Sequence, residues 1–318
     1  MIAKLKRLFL VGLFAKAKHR DGYTPRLAVI YCFLLASAYV AALYLMVPKK
    51  VRKLDRDHVR HIKYRVAASM IVSLGAIVTY PLFFCARTND PALSTFSFAG
   101  LLLNSRYCLS VILHTIMIYF GSIVTSMIQI SEERKAVLAR GEAQGIKKPV
   151  APFLKVAFRR AIRPTILSFM NPITPDERWK NVRNLVVAPW TEEVVFRGCM
   201  VSCMVGSGMS PLKVAFVSPL FFGVAHVHHA MTRLSKGDPL QPVLFVTAFQ
   251  FAYTSLFGAY ASYAFYRTGS ITAVTLSHAY CNWMGLPDLS FVQPANRTMF
   301  QHRKVLLASF IIGVFAFK

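Results

Sequence analysis

The sequence predicts an all-α fold, a polytopic integral membrane helical bundle with about seven to eight transmembrane helices, and three observations predict it. First, 55% of the 318 residues are hydrophobic and only 16% are charged, which is too apolar and too uncharged for an ordinary soluble domain. Second, apolar windows near the length needed to cross about 30 Å of hydrocarbon recur along the chain. Third, Lys and Arg total 38 against 13 Asp and Glu, a formal charge of +25. The excess lies mainly in the N-terminal segment and in the loops between windows, as expected beside an anionic leaflet.

Taken in order, the chain opens with a basic stretch carrying Lys4, Lys6, Arg7, Lys16, Lys18 and Arg20. The apolar run Leu8 to Ala15 inside it is too short to read as a cleaved signal peptide. Windows from Leu27 to Val47, Val66 to Ala86 and Cys108 to Ile130 are long enough to span. The next run from Leu185 to Val205, Leu212 to Ala230 and Val243 to Tyr266, and several of these later windows hold charges or fall short of a full crossing. Ile271 to Met284 and Val305 to Phe317 are shorter still. Between them, Val150 to Met170 is interrupted by Lys155, Arg159, Arg160 and Arg163 at spacings that suit an amphipathic helix at the headgroups, bent at Pro164. It could instead begin the bundle that follows.

The loop Pro48 to Arg65 and the segment Ser131 to Arg163 are strongly basic and separated by two spans, so they share one side, the cytosolic one. Arg87 to Arg106 is then exoplasmic. The basic N-terminus would face away from the other basic loops if a single span followed it. Either the run Leu8 to Ala15 dips into the membrane or the more numerous downstream charges prevail. Glycosylation of Asn296 in Asn296-Arg297-Thr298 would report on sidedness. No internal repeat is present, and the organisation reads as 1–150, N-terminal spans with a basic connector, and 151–318, a motif-bearing helical core with a last span.

The charge does not point to nucleic acid: no zinc-finger, RNP or helix-turn-helix pattern accompanies it, and the basic residues flank spans rather than form one face. The six cysteines lie in or beside apolar windows without a C-x-x-C pair, and they read as buried thiols. Cys199 and Cys203, one turn apart, suit apolar filling better than a disulfide.

Three polar motifs lie inside these apolar segments: Glu192-Glu193 with Arg197, Phe222 with His226, and His278 with Asn282. Ionisable groups at membrane depth are costly and usually mark a working site. On a helix Glu192 and Glu193 point about 100° apart, and Arg197, four residues after Glu193, shares that residue's face. Glu193 is therefore the ion-pair partner, and Glu192 is left to face a cavity as a base. A purely structural Glu–Arg pair at a helix end, with Pro189 marking its start, is the alternative. Gly223 and Pro219 allow close helix approach and a kink beside Phe222. His226 and His229 share a face, so with a glutamate they could ligate a metal, although the spacing is not H-E-x-x-H and the glutamates lie on another helix. His278 and Asn282, i and i+4, present two donors suited to an oxyanion, or simply to interhelical hydrogen bonding. Serine or cysteine catalysis has no G-x-S-x-G to rest on. The inventory favours an activated water.

In this order, E-E-x-x-x-R at Glu192 to Arg197, F-x-x-x-H at Phe222 to His226 and H-x-x-x-N at His278 to Asn282 resemble the three motifs of the type II CAAX prenyl endopeptidases. These are the Ras-converting enzymes of the wider ABI membrane protease family. Ala188 to Glu193, Phe221 to His229, Phe257-Gly258-Ala259-Tyr260, Arg267-Thr268-Gly269 and Cys281 to Gly285 resemble the eukaryotic branch. The resemblance covers roughly residues 175 to 290.

What it implies is a multi-pass protease of the endoplasmic reticulum membrane that removes the last three residues from isoprenylated Cys-a-a-X proteins. Its substrates would be farnesylated or geranylgeranylated proteins such as Ras-type small GTPases, reached through membrane lipid, with no cofactor and no catalytic metal. Carried over, Glu192 is the general base, His226 its partner in activating water, and His278 and Asn282 hold the oxyanion. Glu193, Arg197 and Phe222 support them. Two other classes use the same residues. A transporter could run them as a proton relay but would show paired broken helices in inverted repeats. A non-enzymatic membrane scaffold would have no need of all the motif residues together.

Overall fold

Thr24 and Pro25 begin the first helix as their chemistry dictates: the Thr24 hydroxyl accepts from Leu27 N at 3.3 Å, and Pro25 takes the first position, where no donor is needed. The structure is a computed structural model. It describes residues 23–80, 104, 107–143 and 174–316, without the side chains of residues 137, 140–143, 226, 228 and 229. The basic N-terminus, most of the Arg87 to Arg106 segment, the Val150 to Met170 stretch and the expected division at residue 150 lie outside that range.

Among the described residues there is no strand. In chain order the helices are α1 (Pro25–Leu45), α2 (Val59–Tyr80), α3 (Cys108–Ile118), α4 (Phe120–Ala143) and α5 (Pro175–Val182). The next, α6, is a run of four segments: a π-helical Arg183–Val187, an α-helical Ala188–Glu193, a π-helical Val194–Val201 and an α-helical Ser202–Gly206. Then come α7 (Pro211–His226), α8 (His228–Leu234), α9 (Leu240–Thr268), α10 (Ile271–Met284) and α11 (Arg303–Ala316).

The described parts of the apolar windows are helical, with Cys108 to Ile130 divided between α3 and α4 and Leu212 to Ala230 between α7 and α8, and the protein is a multi-pass membrane helical bundle. Among the described residues, four helices can cross a membrane by length and composition: Pro25–Leu45, Val59–Tyr80, Pro211–Leu234 and Leu240–Thr268. A fifth crossing arises if α3 and the first part of α4, bent by 61°, count as one span. The bend sits beside the Gly121-Ser122 pair, the kind of sequence at which helices kink. The windows at Ile271 and Val305 give helices of 14 residues each, short of the roughly 20 that a crossing requires.

The chain forms two compact units. The first takes residues up to Val111 and Arg183–Ala279; the second takes Ile112–Val182 and Tyr280–Lys318. In the first, α6 is central. From Glu193 to Val205 every residue is buried, which requires a helix apolar all round, and the sequence supplies one except at Glu193, Arg197 and Ser202. Around it pack α1, α2, α7 and α9. Tyr23 Oη donates to Cys203 O at 2.9 Å, Ser73 Oγ donates to Thr191 O at 3.3 Å, and the Tyr39 and Thr191 hydroxyls hydrogen-bond at 2.9 Å. Cys199 and Cys203 are buried and in no disulfide, as their setting predicts. Helix α9 ends at Gly269, whose φ of 59° gives the left-handed cap and lets its N–H reach Phe265 O at 2.7 Å. In the second unit α11 packs along α4, with Gly121 beneath the Phe310 ring and Gly313 against Met117 O.

Candidate active site

The helix bearing the glutamate pair does not start at Pro189. It is already helical from Arg183, and Pro189 is accommodated directly after the π-helical turn Arg183–Val187. A proline inside a helix lacks a donor and crowds the carbonyl four residues back, and a locally widened turn relieves both. A second π segment, Val194–Val201, follows Glu193 and carries Arg197. Single π turns in α-helices occur frequently at functional sites.

Glu193 Oε1 accepts two hydrogen bonds. One comes from Arg197 Nη1 at 3.0 Å, as the i,i+4 spacing predicts; the other joins it to His278 Nδ1 at 2.8 Å. The Glu193 and Arg197 side chains are essentially dry, 0% and 2% exposed, whereas Glu192 keeps 19%. Glu192 Oε2 lies 3.8 Å from His278 Nε2, too long for a hydrogen bond and close enough for strong electrostatic contact. One imidazole from α10 therefore stands between the two carboxylates of α6, bonded to one and facing the other.

Aromatic rings close the site. The Arg197 guanidinium lies 4.6 Å from the Phe222 ring centroid and 5.6 Å from that of Phe257, a cation–π arrangement that helps hold a buried charge. Phe222 also meets Phe196 edge-on at 5.1 Å and His278 at 6.1 Å, while Phe257 lies 4.9 Å from His278. Helices α7 and α9 approach closely because two glycines allow it. A Cβ on Gly258 would stand 2.9 Å from Pro219 Cβ and 3.3 Å from Arg197 Nη2, and one on Gly223 would meet Ser255 and Phe251.

Of the residues the sequence singles out, the structure brings together Glu192, Glu193, Arg197, Phe222 and His278. His226 ends α7, and its side chain lies outside the described residues, as do those of His228 and His229, so the candidate metal set is outside them too. Asn282 lies one turn after His278 on α10, in the second unit; His278 is buried and Asn282 exposed.

CAAX prenyl protease 2 of Homo sapiens is 32% identical to the chain over 296 residues, 90% of this chain and 78% of the human protein. The chain belongs to the CAAX prenyl protease 2 family. The family description "Type II CAAX prenyl endopeptidase Rce1-like" matches residues 175–284, which run from α5 through α10 and include every motif residue. The Probable CAAX prenyl protease 2 of Schizosaccharomyces pombe is 38% identical over 131 residues, 41% of this chain and 48% of that protein. CAAX prenyl protease 2 of Arabidopsis thaliana is 41% identical over 109 residues, 34% of this chain and 35% of that protein. No solved structure matches the chain.

Sequence reasoning left out several residues that build this family site. Phe257 lies in a stretch that carries the resemblance, and the adjacent Gly258, a small residue on an apolar helix, signals a close approach. Thr191 also lies in such a stretch, but its pairing with Tyr39 and Ser73 carries no sequence signal, since it joins residues more than a hundred positions apart.

Proposed function

We propose that this protein is an intramembrane endopeptidase that removes the C-terminal tripeptide from isoprenylated CAAX proteins, Ras-type small GTPases among them, in the endoplasmic reticulum membrane. The observation that carries the reading is the placement of His278 between a dry, doubly bonded Glu193 and a partly accessible Glu192, in a chain whose relatives are named CAAX prenyl proteases.

Glu192 is the general base. Among the described residues no arginine is bonded to it, so its carboxylate can take a proton from water as the water attacks the scissile carbonyl, and return it to the leaving amine. His226 shares the activation of that water, a role that rests on the resemblance. His278 and Asn282 hold the oxyanion. The Glu193 bond fixes how His278 does this. With Nδ1–H donated to Glu193, a neutral imidazole would leave Nε2 an acceptor; to donate to an oxyanion, Nε2 must carry a proton too. Two carboxylates and the Arg197 guanidinium around an imidazolium sum to zero charge, a combination that a dry site tolerates. No metal or cofactor takes part in these steps.

Substrate choice follows from lipid. A prenyl tail gains roughly 0.8 kcal/mol for each CH₂ it buries, so a site reached from the bilayer recruits the modified cysteine and positions its bond. The excess basic charge serves adhesion to anionic lipid.

The test is release of the tripeptide from a farnesylated Cys-a-a-X peptide by purified protein in liposomes. Release that needs Glu192 and the prenyl group, and survives a chelator, supports the reading. Release abolished by the chelator would put a metal in the site. No release by well-folded protein would overturn the assignment.

A further inference from the structure

Glu192 sits in a short α-helical stretch, Ala188–Glu193, between two π-helical segments, Arg183–Val187 and Val194–Val201. A π turn bonds residue i to i+5 where an α turn bonds i to i+4, so it holds about one residue more. If that extra residue passes from one π segment to the other, the stretch between them slides by one position. The slide turns the stretch by about 100° and shifts it by about 1.5 Å, and about 100° is the angle that separates Glu192 from Glu193. It would swing Glu192 away from His278, whose Nε2 now lies 3.8 Å from Glu192 Oε2.

Neighbouring helices hold the stretch at Thr191, the residue before Glu192, which is fully buried. Thr191 Oγ1 donates to Val187 O at 2.9 Å, with Ala188 O at 3.2 Å. A hydroxyl has one proton, so at the 2.9 Å contact between Thr191 Oγ1 and Tyr39 Oη the tyrosine is the donor. Tyr39, on α1, is buried, and its ring meets Phe196 edge-on at 5.9 Å. From α2, the buried Ser73 Oγ donates to Thr191 O at 3.3 Å. That oxygen belongs to the peptide joining Thr191 to Glu192. The residue is thus gripped by its side chain from α1 and by its carbonyl from α2. Glu193 is fastened to Arg197 and His278. Glu192 accepts no hydrogen bond among the described residues, so its carboxylate points where the backbone aims it.

On the reading that Glu192 is the base of a peptide hydrolysis, we propose that Tyr39 and Ser73 are positioning residues that lock α6 in the register aiming Glu192 at the attacking water. Neither touches the substrate. Both act through Thr191, and what they fix is the choice of which glutamate faces the scissile bond. Without them the site keeps its chemical groups and loses the alignment that makes Glu192 an acceptor for the water and a donor for the leaving amine.

The test compares two farnesylated Cys-a-a-X peptides in liposomes, one with the natural scissile amide and one with an ester in its place. An amine departs only once protonated, whereas an alcohol departs more readily, so misplacing Glu192 slows the amide more than the ester. The amide-to-ester ratio of kcat is internal to each preparation, so a misfolded fraction cancels. Tyr39→Phe and Ser73→Ala are each expected to lower the ratio by about tenfold, within the 10²-fold that a misplacement of about 1 Å can cost. KM should stay unchanged, and Ser73→Thr, which keeps the hydroxyl, should restore much of the ratio. An unchanged ratio in either variant, whatever the absolute rate, removes that residue from the positioning role and leaves it a structural one. An unchanged ratio in Glu192→Gln removes Glu192 as the base and the positioning role with it. Failure of wild type to cleave either peptide counts instead against the protease reading itself.

Discussion

Removing one member of the Glu193–Arg197 pair should be severely destabilising, and removing both should not. Glu193 is fully buried, Arg197 is 1% exposed, and the bond between them is 3.0 Å long. Replacing Glu193 with Gln leaves the guanidinium dry and uncompensated, which costs about 3–5 kcal/mol. Arg197→Met leaves Glu193 with only His278 and also forfeits the contact with the Phe222 ring at 4.6 Å, worth about 0.5–2 kcal/mol. The double variant removes both charges at similar volume, so it should be less destabilised than the sum of the singles by about 3 kcal/mol. Denaturation of the purified protein in mixed micelles, followed through tryptophan fluorescence, completes the double-mutant cycle. Trp190, two residues from Glu192, is well placed to report it. Single variants that cost less than about 1 kcal/mol, or a coupling within the roughly 0.5 kcal/mol of simple additivity, would show that the pair is not dry or not coupled, and the argument for a fixed His278 would fall with it.

Glu192→Gln should lower kcat by about 10²–10⁴-fold while leaving the unfolding transition unchanged, because the side chain is partly accessible and, among the described residues, has no ion-pair partner closer than His278 at 3.8 Å; activity within tenfold of wild type would remove Glu192 as the base. Gly258→Ala should cost about 1–3 kcal/mol and impair cleavage, since the new Cβ stands 2.9 Å from Pro219 Cβ and 3.2 Å from its backbone Cα, with Arg197 directly behind; a fully active, equally stable variant would mean that α7 and α9 separate freely. Thr191→Val should cost about 1–3 kcal/mol by stranding the buried Tyr39 hydroxyl, now 2.9 Å from Thr191 Oγ1, and Tyr39→Phe in the same background should recover most of it, as thermal unfolding would show. Asn282→Ala should reduce turnover more than KM if Asn282 holds the oxyanion; a change in KM alone would argue against that role.

Helical content and the apolar windows were legible in the sequence because both depend on local composition, and the described parts of the windows are helical, although two windows are each divided between two helices. The Glu193–Arg197 pair was legible for the same reason: four residues along a helix bring two side chains to one face wherever the helix is placed. Helix starts and breaks were less so. Pro189 reads locally as a start, yet packing around the buried α6 keeps the chain helical on both sides of it through a widened turn. The i,i+4 relation of His278 and Asn282 likewise predicts a shared face but not that one is buried and the other exposed, since burial depends on what the rest of the chain lays against that face.

The sequence by itself determined that this is an apolar helical protein with costly polar groups at three places, and its order of motifs placed it in its family. Only the tertiary structure decided that His278 bonds Glu193 across 85 residues, that Tyr39 supports Thr191 across 152, and that Arg183 donates to Asp57 across 126. Spacing within a helix sets the angle at which a side chain leaves the axis. Which partner waits there is set by how the helices pack, a property of the whole chain that no local pattern encodes.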